Sequence, residues 1–313
     1  QITKSRNQMN YLKILFLCCA AAFSMNAQMV NDSTFDASVK RPKFKKGKGP
    51  ALLIDAAHHN FIVEMGLAKP LVDVATADGY RPSIDSSVFT KAYLSNYKIV
   101  VITPAMPFTF GSKKEVTTES TFTPAEIDAL HDWVNNGGSL ILLSEHAPID
   151  KSMTPVLNKF GIQSSIGIVW DSLNCDKTIP MKGFQTLLKF NKANGLLNTD
   201  HPITQGEQIG EQIKAIVTYG GSGLTGPEYT SLFTLSPSSE IKRWSGINPS
   251  GSATSQGLVG KVGKGKLVAL GDCNGFTAMY INMGAGKKFF AGMQVTDHNW
   301  KQFVLNTLHW LSN

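Results

Sequence analysis

Three short runs of uninterrupted apolar residues constrain this chain most: Leu52-Leu53-Ile54, Ile99-Val100-Val101-Ile102 and Leu140-Ile141-Leu142-Leu143. Each breaks off into polar residues, at Asp55, at Thr103 and at Ser144-Glu145-His146. A strand without polar alternation has to be covered on both faces, which is the condition of a parallel strand between two layers of helices. The intervening sequence supplies those helices. Phe61, Met65, Leu67, Leu71 and Val74 mark a helical stretch that runs to Asp78-Gly79, and Arg81 to Ile84 follow as a short strand. Thr123-Pro124-Ala125-Glu126 opens a second helix with a capping Thr, Pro at the first helical position and Glu three residues after the cap. Those residues satisfy N–H groups that a helix start leaves without partners. Ile127, Leu130, Trp133 and Val134 then line one side until Asn136-Gly137-Gly138 ends the helix. The polar stretch from Thr103 to Phe122 is long enough to be a lid or a disordered excursion.

Later in the chain, Ile213 to Thr218, Ser231 to Leu235, Gly257 to Val262 and Lys266 to Leu270 read as further strands, the last two joined by a turn at Gly263-Lys264-Gly265. A helix starting near Asp297 places Phe303, Val304, Leu308 and Leu311 toward the core. Strand and helix in alternation predict an α/β fold with a doubly wound, mostly parallel sheet and extra strands in the C-terminal half. With 313 residues, 42% of them hydrophobic, there is ample material for one such domain over 50–313.

The net charge of +7 suggests nucleic acid only until it is located along the chain. Residues 1–27 carry Lys4, Arg6 and Lys13 with no acid, and 28–49 carry Lys40, Arg41, Lys43, Lys45, Lys46 and Lys48 against Asp32 and Asp36, so that 50–313 is neutral. A folded nucleic-acid surface needs clustered cations, and none is expected here. The basic segment 28–49 reads as a flexible linker. Ahead of it, Met9, Lys13 and the apolar stretch Ile14 to Phe23, ending in small residues before Gln28, have the form of a signal peptide over 1–27. Export to the periplasm or the extracellular space is therefore expected. The stretch is too short for a stable membrane span. Cys18 and Cys19 lack the small preceding residue of a lipid-attachment site. Beyond them only Cys175 and Cys273 remain; one bridge between them is open, and no C-x-x-C motif is present.

In a doubly wound sheet, ligands bind beyond the carboxyl ends of the strands. The residues expected there are Asp55, His58, His59 and Asn60, then Glu145 and His146, then Asp272 and Asn274. Asp55, His58, Glu145 and His146 are the candidate catalytic set, suited to acid/base work or to a divalent metal, with Asn60, Asp272 and Asn274 as ligand contacts. The competing reading is equally concrete: the same side chains cap the helices that follow. His59 reads as a surface residue, His201-Pro202 as a turn, Asp297-His298 as the cap of the last helix, and His309-Trp310 as core. The glycine-rich runs lack G-x-G-x-x-G between strand and helix, so no dinucleotide is expected.

The segments Asp55-Ala56-Ala57-His58-His59-Asn60-Phe61, Asn136 through Pro148, His201-Pro202-Ile203-Thr204-Gln205-Gly206, Gly263 through Asp272 and Asn299 through Leu311 together resemble uncharacterised exported bacterial proteins with the class I glutamine-amidotransferase-like, flavodoxin-like fold. The chain is also similar to trehalose-utilisation-type proteins and to domains of unknown function of that superfamily. The resemblance implies the fold over roughly 50–313. The amidotransferases of that fold carry a nucleophilic Cys at a tight turn, whereas the corresponding turn here is Leu143-Ser144-Glu145-His146-Ala147-Pro148, without G-x-C-x-G or G-x-S-x-G. Thiol glutaminase chemistry is excluded on that ground, and Ser144 lacks the small neighbours a nucleophile elbow requires. Two functions stay open: a hydrolase acting on an extracellular small molecule or glycan, or a non-catalytic ligand-binding or accessory domain.

Overall fold

A computed structural model describes residues 29–106, 120–178, 183–283 and 286–313. The expected signal peptide lies outside the described residues, as does most of the expected lid (107–119). The main sheet has nine strands. Five are parallel, in the spatial order Arg81–Asp85, Ala51–Asp55, Ile99–Ile102, Ser139–Leu143 and Gly265–Leu270. Beyond Gly265–Leu270 the sheet turns antiparallel, through Ser255–Val262, which also pairs with Thr230–Thr234, to Leu224–Thr225 and Gln163–Ser164. The large, mostly parallel sheet with added antiparallel strands is the mixed α/β architecture that the apolar runs imply.

Coverage on both faces is visible residue by residue. Leu52, Ile54, Val101, Ile141, Leu143, Val268 and Leu270 belong to one core with the helices Lys69–Ala77 and Trp300–Ser312. The alternate residues Leu53, Val100, Ile102, Leu140, Leu142, Leu267 and Ala269 belong to the other, with Pro124–Asn135 and Ile149–Lys159. Period-two alternation sends successive side chains to opposite faces, so an unbroken apolar strand feeds two cores at once.

Several boundaries differ from the sequence reading. The stretch expected as one helix from Phe61 is two, Phe61–Glu64 and Lys69–Ala77, separated at Gly66 with φ +69°. The last helix begins at Trp300, because Thr296–His298 form a 3-10 turn and Asn299 adopts φ +49°. Asn299 is held there by its side chain, whose Oδ1 accepts from the N–H groups of Lys214 and Ala215 at 2.9 and 3.1 Å. The Gly263-Lys264 turn joins the two long antiparallel strands, with Val262 opposite Gly265.

The larger correction concerns the basic segment, expected to be a flexible linker. Met29–Asn31 instead pairs antiparallel with Ala278–Asn282, which pairs with Lys288–Gly292. Phe35, Ala37, Val39 and Phe44 pack against the core, Phe44 edge-on to Tyr80 with ring centroids 5.2 Å apart. The Lys43 N–H donates to Asp78 Oδ1 at 2.7 Å, and the Lys43 ammonium pairs with Glu207 at 2.5 Å. Asp78 also accepts from the Nε2–H of His309, at 2.7 Å through its other oxygen. One buried carboxylate thus joins the segment to the last helix. Apolar residues spaced too irregularly to show a period are enough to dock a strap when their partners come from distant parts of the chain. We predict that a chain starting at Gly49 is less stable by roughly 2–4 kcal/mol, the combined effect of exposing Phe44 and leaving Asp78 short of a donor. Equilibrium unfolding in urea, compared with a chain starting at Gln28, measures this; equal midpoints would contradict it.

Candidate functional site

The strand ends carry two separate polar clusters. The first forms where Ala51–Asp55 runs out between its neighbours Arg81–Asp85 and Ile99–Ile102, the crevice where the order of strands reverses. Asp55 Oδ1 accepts from the Ala57 N–H at 3.0 Å and closes a turn that brings His58 back over the strand end. His58 is only 3% exposed. Its Nδ1–H donates to Asp55 Oδ2 at 2.8 Å and its Nε2–H to Glu126 Oε1 at 3.1 Å. Phe122 stacks on the ring at 3.9 Å between centroids. Asn60 completes the group, donating to Asp55 Oδ2 at 3.0 Å and to the Thr103 carbonyl at 3.1 Å.

Glu126 is the residue that sequence reasoning assigned only half a role. The capping box is present: Thr123 Oγ1 accepts from the Glu126 N–H at 3.3 Å, and Glu126 Oε2 accepts from the Thr123 N–H at 3.0 Å. That engages one carboxylate oxygen. The other takes the His58 proton and the Phe89 N–H. No local pattern could reveal this, since His58 and Glu126 are 68 residues apart.

Burial works against a charged His58, but the hydrogen bonds and charges of Asp55 and Glu126 outweigh it and raise the pKa. For Glu126, burial pushes upward, and the Thr123 donors together with His58 bring the pKa below the ordinary carboxylate value. Both ring nitrogens are thus engaged by carboxylate oxygens, with none left for a substrate.

The second cluster lies at the ends of Ser139–Leu143 and Gly265–Leu270, which pair in register. Glu145 is buried; its Oε2 accepts from the Cys273 thiol at 3.1 Å and from Asn274 Nδ2 at 3.0 Å, and its Oε1 from the His146 N–H at 3.0 Å. Asp272 accepts from the N–H groups of Asn274, at 2.7 Å, and Tyr219. Burial, with the charge of Asp272 nearby, pushes the Glu145 pKa well up, and burial pushes Asp272 up to about 6 against its backbone donors. Cys273, like Cys175, is a free buried thiol, so no bridge joins them. Burial and the two neighbouring carboxyls raise the Cys273 pKa.

His146 is placed differently. Its Nδ1–H donates to the Ala147 carbonyl at 2.9 Å, which leaves Nε2 as a free acceptor, 4.0 Å from Glu145 Oε1. The side chain is 27% exposed, and desolvation lowers its pKa, keeping the ring neutral. Beside it stands Trp244, 39% exposed, with ring centroids 5.3 Å apart. Trp244 is presented by a tight turn: it exchanges backbone hydrogen bonds with Ile247, while Ser245 and Gly246 both have positive φ. That is the geometry of a two-residue hairpin loop. Ser-Gly after an aromatic was the available sequence signal for this turn.

The expected catalytic set therefore divides. Asp55, His58 and Asn60 meet one another, and Glu145, Asp272 and Asn274 meet one another, but no hydrogen bond or ion pair links Asp55 or His58 to Glu145 or His146. No group of three or more His, Cys, Asp or Glu side chains among the described residues is arranged to hold a metal ion. Ser144 is buried against Ser222, 3.5 Å away, and no hydrogen bond joins it to His146. Elsewhere, His59 pairs at the surface with Glu64, and His201 accepts from the Ile203 N–H at the start of its short helix. His298, expected as a cap, is instead buried between Asp176 and Tyr219.

No family model matches the chain, and no curated protein does. Among solved structures, the mmIFT52 N-terminal domain is similar, with 14% identity and a TM-score of 0.56 over 84% of this chain and 97% of that one. ThuA-like proteins from Bacteroides uniformis (14% identity, TM-score 0.43, 90% and 95% covered) and from Parabacteroides merdae (11%, 0.44, 85% and 91%) also align. The first similarity shows a shared fold and says nothing of chemistry; the other two score too low to build on. No helix among the described residues is long and apolar enough to cross a membrane.

The Asp55–His58–Glu126 contact makes two predictions. His58→Ala leaves two buried carboxylates facing each other and should cost about 3 kcal/mol. The raised His58 pKa contributes stability that is whole below its ordinary 6.5 and lost as pH rises through the folded value. The lowered Glu126 pKa contributes above its ordinary 4.5 and is lost as pH falls through the folded value. The cost of His58→Ala, measured by urea unfolding at several pH values, should thus be largest between these limits and shrink in alkali; a cost independent of pH would contradict this. Glu126→Gln keeps a capping side chain at that position but removes a charge, so NMR titration should find the His58 pKa lowered. An unchanged His58 titration would mean that Glu126 does not hold it.

Proposed function

We propose that this chain is an exported α/β domain of the class I glutamine-amidotransferase-like type that binds an extracellular small molecule or glycan without hydrolysing it. The observation that carries this reading is the state of the four candidate groups: Asp55, His58 and Glu145 are buried with their polar atoms engaged inside the protein, and His146 alone keeps a free ring nitrogen at the surface. Hydrolysis by acid/base catalysis needs a proton donor and a proton acceptor that both reach the substrate. A single neutral imidazole beside an exposed indole is a contact surface: Nε2 accepts a hydroxyl proton, and the Trp244 ring offers a flat apolar face with one N–H donor at its edge. Export rests on the charged and apolar pattern of residues 9–27.

Titration calorimetry with a panel of soluble oligosaccharides and small polar metabolites tests the reading, together with a hydrolase screen on the same panel. Binding should occur without turnover. His146→Ala and Trp244→Ala should each weaken it about tenfold while changing stability by less than about 0.5 kcal/mol, as expected of half-exposed positions. Turnover that His146→Ala abolishes would restore the hydrolase reading. Absence of binding to any member would remove the ligand and leave an accessory domain.

A further inference from the structure

The docked basic segment forms one wall of a cleft of about 630 Å³, and the last helix forms the other. The cleft shares no residue with either strand-end cluster and has a different electrical character. From the strap come Lys40 and Arg41; from the helix come Lys301 and Gln302 and, two turns further on, His309. Lys301 is half-buried. Its ammonium donates to the carbonyls of Asp36 and Ser38 at 2.6 and 2.8 Å, which uses two of its three protons and brings it no carboxylate contact. Lys40 has no hydrogen bond or ion pair among the described residues.

Two acids also line the cleft, and their oxygens are largely occupied. Asp36 accepts from the N–H and the hydroxyl of Ser38 at 2.8 and 2.9 Å. Glu211 accepts through Oε2 from the N–H groups of Glu207 and Gln208, both at 3.0 Å, and its other oxygen stands 3.6 Å from Arg41. No side chain caps the N-terminus of Trp300–Ser312, the positive end of a 13-residue helix.

A second observation is independent of charge. His309 is 6% exposed, donates through Nε2 to Asp78, and has no partner for its buried Nδ1. With the proton on Nε2, Nδ1 is an acceptor. A buried acceptor left unpaired costs about 1–3 kcal/mol, and this one belongs to a side chain that lines the cleft. Cations and an unfilled acceptor together ask for one molecule with negative charge at one end and a hydroxyl at the other.

We propose that the cleft between residues 36–41 and the last helix binds a small hydroxylated anion of the sugar-acid or sugar-phosphate type, its charged group at Lys40, Arg41 and Lys301 and a hydroxyl donated toward His309. The strap is then part of a binding site and not a spacer, and two of its cations, Lys40 and Arg41, line that site.

The test is calorimetric titration of the full chain with glucuronate, glucose 6-phosphate and, as the neutral control, glucose. At least one of the two anions should bind about tenfold more tightly than glucose, and which one does so distinguishes a carboxylate from a phosphate. Raising the salt concentration should weaken binding, because the cations at the mouth are exposed. The double substitution Lys40→Ala with Arg41→Ala should weaken it about tenfold, with circular dichroism confirming that the domain remains folded. The pair His146→Ala and Trp244→Ala should leave it unchanged, which separates this site from the surface at the strand ends. Failure of both anions to bind, equal binding of glucose, or indifference to the Lys40 and Arg41 substitutions would each overturn the proposal.

Discussion

Everything distinctive in this molecule depends on the central strands being covered on both faces. Leu140 to Leu143 and Leu267 to Leu270 have side chains in two separate cores, so no polar side chain interrupts these two central runs. Along these runs polar groups appear only at the ends, where the backbone leaves the sheet and the cover opens. That is why Asp55 and Glu145, each just past an apolar run, are the first residues of their clusters. It is also why the two clusters stay apart: each belongs to a different strand end, with Ile99–Ile102 between them.

Both clusters spend their polar groups inside the protein. An acid/base site keeps at least one proton in reserve for a substrate. Here Asp55, His58 and Glu126 satisfy one another, and Glu145 is surrounded by the donors Cys273, Asn274 and the His146 N–H. Such arrangements fix loops in place. His58 ties the first strand end to the start of the Pro124–Asn135 helix, and Asn274 ties the fifth parallel strand to the fourth. The surface proposed to bind a ligand, His146 with Trp244, adjoins the second of these clusters.

The sequence made the parallel strands, the capping box at Thr123 and the hairpin at Gly263 legible, because each is written in neighbouring residues: an unbroken apolar run, a cap with Glu three positions on, a glycine turn. The site was legible only as a roster. Asp55 with His58, three positions apart, was recoverable as a pair, but the partner of His58 on its far side was already committed, in sequence terms, to a helix cap. Whether Glu145 and His146 would reach Asp55 depends on the spacing of strands in space, which sequence spacing does not encode. The strap was misread for a related reason. Phe35, Val39 and Phe44 have no period, and their partners, among them Tyr80, Asp78 and Lys301, come from widely separated parts of the chain.

The place of Gly265–Leu270 in the sheet bears on how the chain is made. It lies between Ser139–Leu143 on one side and the antiparallel strands on the other, yet more than 120 residues of chain separate it from its parallel neighbour. Until those residues have been synthesised, Ser139–Leu143 is an open edge of five residues that the finished domain buries entirely. Local helices and the first four parallel strands can assemble early, whereas closure of the sheet and seating of the strap against the last helix wait for the C-terminal end of the chain. A nascent chain therefore leaves Leu140 to Leu143 open to wrong pairing while more than 120 further residues are added.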